Sequence, residues 1–247
     1  MVGIKITGSL MVNGRTVGHS SPMEALKDDL VTEMGTGTKT LAKIDKLVVV
    51  DNNGNERDST TSLSYIDNSP DNVQIKGTIT ISASYTVAKI RAYAGSKLYF
   101  ETSYSVNVNA GDKLDITLTV TVSVSCSLSG SARQSSCDTY GFRSAFLKAL
   151  IGASRPAIYP KKANLYRWSD VAGGYIVGLS ITLALSYDTV ANKVTGSGSK
   201  TSTSSFNAEY LTYEDDEGNI FFSQTFATPL AIYVNTTVNI SMEFTVS

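Results

Sequence analysis

The chain has 247 residues, a formal net charge of −1 and only 17% charged residues, below the usual ~25%. That length fits two domains of ordinary size, and the lack of any Lys/Arg stripe interleaved with aromatics argues against direct nucleic-acid binding. No apolar stretch approaches the ~18 residues of a membrane span, and two cysteines with one histidine are too few to ligate zinc.

Residues 1–22, "MVGIKITGSLMVNGRTVGHSSP", lack the apolar core of a secretory leader. They alternate weakly and contain Asn13-Gly14, a hairpin-turn dipeptide. The pattern predicts an N-terminal β-arm outside the units that follow, or a small hairpin packed on the first of them. His19, the only histidine, falls here and reads as a surface loop residue. With no second histidine and no Gly-x-Ser-x-Gly elbow, no nucleophile constellation is visible, and the chain is expected not to be an enzyme and to need no cofactor.

"EALKDDLV" (24–31) reads as a short amphipathic helix, with Leu26 and Leu30 at i,i+4. "MGTGTKT" (34–40) has the composition of a phosphate loop. However, Thr38 stands where that loop needs Gly, and the helix precedes it instead of following; it reads as a helix C-cap at Gly35 and a loop. "VDNNGNERD" (50–58) places Glu56 where a calcium loop needs Gly and reads as a hairpin turn. "VQIKGTITISASYTV" (73–87) predicts one long strand. In "LDITLTVTVSVS" (114–125) Leu114, Ile116, Leu118, Val120, Val122 and Val124 alternate with Asp, Thr and Ser, which marks a strand with one dry and one wet face.

Residues 126–141, "CSLSGSARQSSCDTYG", are small, polar and Gly/Ser-rich, as in a flexible linker. They hold both cysteines. Cys126 and Cys137 allow one pairing, a short-loop disulfide in an oxidising location, or else stay as two reduced thiols. Beyond the linker, "AFLKALIG" (145–152) predicts a second short helix. "YEDDEGN" (213–219) gathers Glu214, Asp215, Asp216 and Glu217, a conceivable calcium site that reads better as another hairpin turn. Asn235-Thr-Thr and Asn239-Ile-Ser are N-glycosylation sequons. The closing "VNISMEFTVS" (238–247) alternates as 114–125 does.

The second half repeats the first. Residues 94–125 align with 217–247 at an offset of about 123, with Gly95 on Gly218 and Thr102 on Thr225. Farther back, 73–87 is matched to "LSITLALSY" (179–187), and the two short helices to each other. Tyr85, Tyr93, Tyr99 and Phe100, then Tyr210, Tyr213, Phe221 and Phe222, recur in both halves and are expected in the core and in inter-sheet contacts rather than in a sugar-stacking platform. The expectation is all-β: two tandem, internally duplicated β-sandwich (jelly-roll-like) domains, each with one short helix. The first spans 23–125 and the second 142–247. The last strand of each should lie inside a sheet.

Each unit resembles a domain pattern of virus structural proteins, carried by "EALKDDLVTEMGTGT", "VVVDNNGN" and "LYFETSYSVNVNAGDKLDITLTVTV", then by "FLKALIG", "WSDVAGG" and "EGNIFFSQTFATPLAIYVNTTVNISMEFTV". The pattern is similar to tail-type proteins of bacterial viruses and to the tandem jelly-roll turret and vertex proteins of archaeal icosahedral viruses. That resemblance implies a non-enzymatic virion protein (turret, vertex, minor capsid or tail component). It implies a symmetric homo-oligomer, a pentamer or a trimer, located in the extracellular particle. Its partners would be other virion proteins and a host-surface glycan or protein, with no nucleic acid and no membrane insertion. On this reading the arm docks to the particle, and removing 1–22 unfolds neither sandwich. The alternatives are a carbohydrate-binding or adhesin module and a surface-fibre subunit.

Overall fold

The structure, a computed structural model, describes residues 1–126 and 134–247. It is all-β apart from two helices, α1 (Glu24–Thr36) and α2 (Tyr140–Ile151). The first half builds β3 (Lys46–Asp51), β4 (Glu56–Thr60), β5 (Leu63–Asn68), β6 (Asn72–Thr80), β7 (Tyr85–Ala94), β8 (Lys97–Val108) and β9 (Lys113–Cys126). The second half repeats that order with β11 (Lys162–Ser169), β12 (Gly174–Thr182), β13 (Ala184–Asp188), β14 (Lys193–Thr201), β15 (Phe206–Glu214), β16 (Ile220–Ile232) and β17 (Thr237–Val246). Two strands, β1 (Val2–Val12) and β2 (Arg15–Ser20), precede the first half, and β10 (Gln134–Asp138) precedes the second.

Three sheets form. Sheet B runs β4-β3-β7-β8, and sheet C runs β10-β16-β15-β11-β12, the same order with one strand added. Sheet A has eight strands: β13-β14-β17-β1-β9-β6-β5, with β2 also on β1. Read outward from β1, the order is β9, β6, β5 on one side and β17, β14, β13 on the other. Because β1 is antiparallel to β9 and parallel to β17, those two run in opposite senses, as a two-fold relation normal to the sheet requires. A strand lying on such an axis has one direction only, so it must be antiparallel to one neighbour and parallel to the other.

Residues 1–22, expected as an arm or a small packed hairpin, thus supply the central strand of the molecule. Val2, Ile4, Ile6, Leu10 and Val12 point inward and are almost fully buried. Position 8 belongs to the same inward series but is glycine. A Cβ there would lie 2.6 Å from Ser20 Oγ, 3.1 Å from the Phe100 ring and 3.2 Å from Leu118, so the gap in the apolar series is filled by a ring from sheet B. The two final strands, β9 and β17, lie inside sheet A as expected, with Leu114, Ile116, Leu118, Val120 and Val122 buried.

The strand expected over 73–87 ends at Thr80. The chain crosses to sheet B and resumes as β7, so the run serves two sheets. Its topological counterpart is β14 and the start of β15, not 179–187, which spans β12 and β13. The helices exceed their expected lengths. α1 is capped at Gly37 (φ 75°), whose N–H donates to Glu33 O at 2.8 Å, and not at Gly35. Gly35 has a packing role instead, since a Cβ there would sit 2.4 Å from the Tyr187 ring of β13.

Each helix also leans on the other half: α1 touches β13 and β14, and α2 touches β5, β6 and β9. One apolar core runs from Val2 to Val246 through both halves. At the seam Glu33 of α1 and Arg155, both buried, form a bidentate ion pair. The Glu33 carboxylate also accepts N–H bonds from Thr40, Leu41 and Ile158. Of the expected linker 126–141, residues 127–133 lie outside the described part. The remainder includes β10, which pairs with β16, and the first two residues of α2. Cys126 and Cys137 are joined as a disulfide, Cα–Cα 6.2 Å.

Candidate binding surface

The outer faces of sheets B and C occupy the same place in the two halves and carry opposite chemistry. On sheet B, Lys89 donates to Glu101 at 2.7 Å and Arg91 at 2.8 Å, and Arg91 also reaches Glu56 at 3.3 Å. The Tyr93 hydroxyl donates to Glu56 as well. That bond holds the Glu56 carboxyl below its ordinary range against partial burial, with Arg91 adding to it. Burial pushes Glu101 up, and the bonds from Lys89 and Arg91 overcome it and leave the group lowered. This is a solvated face tiled with ion pairs.

On sheet C the same face is aromatic. Tyr166 and Trp168 alternate on β11, Tyr175 and Val177 on β12, and Tyr210 stands on β15 opposite Tyr166. A bulge at Gly178 between the Leu165↔Leu179 and Tyr166↔Val177 pairs turns Val177 and Tyr175 outward. Gly178 is required there, because a Cβ would lie 2.5 Å from the Phe206 ring. Tyr166 and Tyr210 stack at 4.7 Å. Tyr175 meets Tyr210 edge-on at 4.9 Å and Trp168 edge-on at 5.2 Å. Trp168, Tyr175 and Val177 stay 47%, 47% and 46% exposed.

The polar tips of Trp168, Tyr175 and Tyr166 are tied down. Trp168 Nε1 donates to Asp170 Oδ1 at 2.9 Å, and the Tyr175 hydroxyl donates to Glu209 Oε2 at 2.9 Å. The Tyr166 hydroxyl donates to Glu214 Oε1 at 2.9 Å; burial first, and then this carboxylate, push it up to about 12. The bond to Glu209 raises Tyr175 in the same direction. What remains available on the surface is ring faces and edges held in one arrangement, beside two carboxylates.

The recurring aromatics divide. Tyr99, Phe100, Tyr213, Phe221 and Phe222 are core, as expected, while Tyr85, Tyr93 and Tyr210 are half-buried. Trp168 and Tyr175 were not singled out from sequence. The signal was present as aromatic alternation, Tyr166-x-Trp168 then Tyr175-x-Val177 across a Gly-Gly turn.

The acidic turns have other work. Asp51 Oδ1 accepts the N–H groups of Asn53 and Asn55, each at 2.9 Å, and Oδ2 accepts from Arg57 at 2.6 Å. Burial pushes this carboxyl up, and those donors overcome it and leave it at about 2. Asp215 builds the same Asp-x-x-Gly-Asn turn, accepting from Glu217 and Asn219 N–H groups at 2.9 Å, with Gly54 and Gly218 both at φ 85°. Glu214 is engaged by Tyr166 and Thr212, and Asp216 by Lys161 and Lys162. Among the described residues, no group of three His, Cys, Asp or Glu side chains is placed to hold a metal. None of the described helices is long and apolar enough to cross a membrane.

His19 is exposed on β2. Both sequon asparagines are exposed, Asn235 in the turn before β17 at φ 63° and Asn239 on β17. No family model, curated protein or solved structure matches this chain.

Proposed function

We propose that this chain is a non-enzymatic structural protein of a virus particle, a turret, vertex, minor capsid or tail component that works as a symmetric homo-oligomer with other virion proteins. The common strand order of the halves is read as tandem duplication of one β-sandwich unit. The observation that carries the proposal is the seam. One strand closes two like-built halves into a single eight-stranded sheet with a shared core, and a buried ion pair reinforces it. Such a block transmits load without a hinge, which suits a building element. The outer face of that sheet supports the reading too. It is rich in Ser and Thr, with hydroxyl pairs such as Thr7 to Thr121 at 2.9 Å and Ser186 to Thr195 at 2.7 Å, and low charge favours packing against neighbouring copies.

The test is absolute mass in solution, by light scattering after size exclusion. A pentamer selects the vertex or turret assignment and a trimer the tail assignment. A monodisperse monomer at high concentration sinks the self-assembling building block.

A further inference from the structure

From the outer face of sheet C we infer that it is a glycan-binding site, taking the apolar face of a neutral sugar ring against Trp168 and Tyr175, with the sugar hydroxyls donating to Asp170 and Glu209. The inference goes beyond the assembly reading and does not depend on it. The molecule contains its own control. Sheet B, built in the same strand order, covers this face with ion pairs among Lys89, Arg91, Glu56 and Glu101. A face that only had to meet water has that solution available, and the second half does not use it. Its edge strand differs in the same way. β4 is "ERDST", whereas β12 is nine residues, "GYIVGLSIT", without a charge.

Three properties select the ligand. First, the rings are preorganised, because the indole N–H and the Tyr175 hydroxyl are already committed to carboxylates. No polar tip has to be desolvated when a C–H-rich surface settles on them, and little side-chain freedom is lost. Trp168 and Tyr175 meet at 84°, so a small ligand contacts a ring face and a ring edge together. Second, the charged groups bonded to the rings are acidic, which disfavours phosphates, sialylated or sulfated glycans and nucleic acids. Each carboxylate uses one oxygen on its ring, Asp170 Oδ1 and Glu209 Oε2, leaving the second to accept from a hydroxyl donor.

Third, the area is small. Trp and Tyr side chains bury ~150–250 Å² each, so the half-exposed Trp168, Tyr175 and Val177 together offer about 300 Å². A stable protein interface needs about 800 Å² per partner. By itself the patch falls short of what holds a second copy of this chain, and its size fits one or two sugar rings.

Trp168 is the sole tryptophan of the chain, so intrinsic indole fluorescence reports on this patch alone. The experiment titrates the full-length protein with maltohexaose, cellohexaose and mannohexaose, and with sialyllactose as an anionic control. The expected result is a saturable change in indole emission with at least one neutral hexasaccharide, in the ~10 μM to ~1 mM range of small, rim-exposed sites. Sialyllactose should cause no change. Tyr175→Ala, checked by its melting curve to be folded, should weaken that binding at least about tenfold when measured calorimetrically. No saturable change with any neutral probe up to about 10 mM overturns the inference, as does undiminished binding by folded Tyr175→Ala. An indole emission that shifts with protein concentration alone, in step with scattering mass, shows a second copy on the patch and also overturns it. The first two of these outcomes leave the mass test of the assembly reading untouched, whereas the third overturns this inference while answering that test in favour of self-association.

Discussion

Deleting residues 1–22 should unfold the protein. β1 buries Val2, Ile4, Ile6, Leu10 and Val12 to 2% exposure or less. At ~1.5–3 kcal/mol for each fully buried aliphatic side chain, the strand contributes about 8–15 kcal/mol, comparable with the ~5–15 kcal/mol net stability of a whole domain. The loss does not stop at apolar area. All eleven residues of β1 pair with β9, and its first residues also pair with the end of β17, so deletion would leave two long interior strands as open edges. The assay is circular dichroism with thermal and urea melts of the truncated chain, followed by addition of a synthetic peptide of residues 1–20. The truncated protein should be aggregated or lack a cooperative transition, and the peptide should restore one by pairing between β9 and β17. A soluble truncated protein that melts cooperatively near the full-length temperature would refute the assignment of β1 as the structural centre.

Arg155→Met removes one partner of the buried pair and strands the Glu33 carboxylate, at ~3–5 kcal/mol. For a chain of this length that lowers Tm by about 6–20 °C, and Glu33→Gln added to it should recover part of the loss; a shift under about 2 °C contradicts the pair's burial. Asp51 is lowered from 3.8 to about 2, so its stabilisation is fully present above pH 3.8 and is lost as pH falls through about 2. Asp51→Asn should therefore flatten the acid-unfolding curve over that window, and an unchanged curve would argue against the turn's hydrogen bonds. The Cys126–Cys137 bridge, with its partners eleven apart in sequence, should contribute ~2–3 kcal/mol by restricting the unfolded chain. Reduction should lower Tm in the wild type and leave a Cys126→Ser/Cys137→Ser variant unmoved.

Alternation along 114–125 and 238–247 already states which residues of β9 and β17 are dry, because side chains on a strand change face at every residue. The turns at Asp51–Asn55 and Asp215–Asn219 are equally legible, since a carboxylate, a glycine at positive φ and an asparagine specify them within five residues. Sheet membership is not written locally. The run 73–87 alternates without interruption across its crossing from sheet A to sheet B, since a period of two records a wet and a dry face but not which strand lies alongside. For the same reason the opening residues read as an arm: their alternation is broken at Gly8, and only the tertiary packing of Ser20, the Phe100 ring and Leu118 against that position explains the break. The aromatic face of sheet C arises from Tyr166, Trp168, Tyr175 and Tyr210 on three strands and a bulge at Gly178. Composition fixes how many rings the chain carries, but their side of the sheet depends on register, and register is set by contacts between residues far apart in the chain.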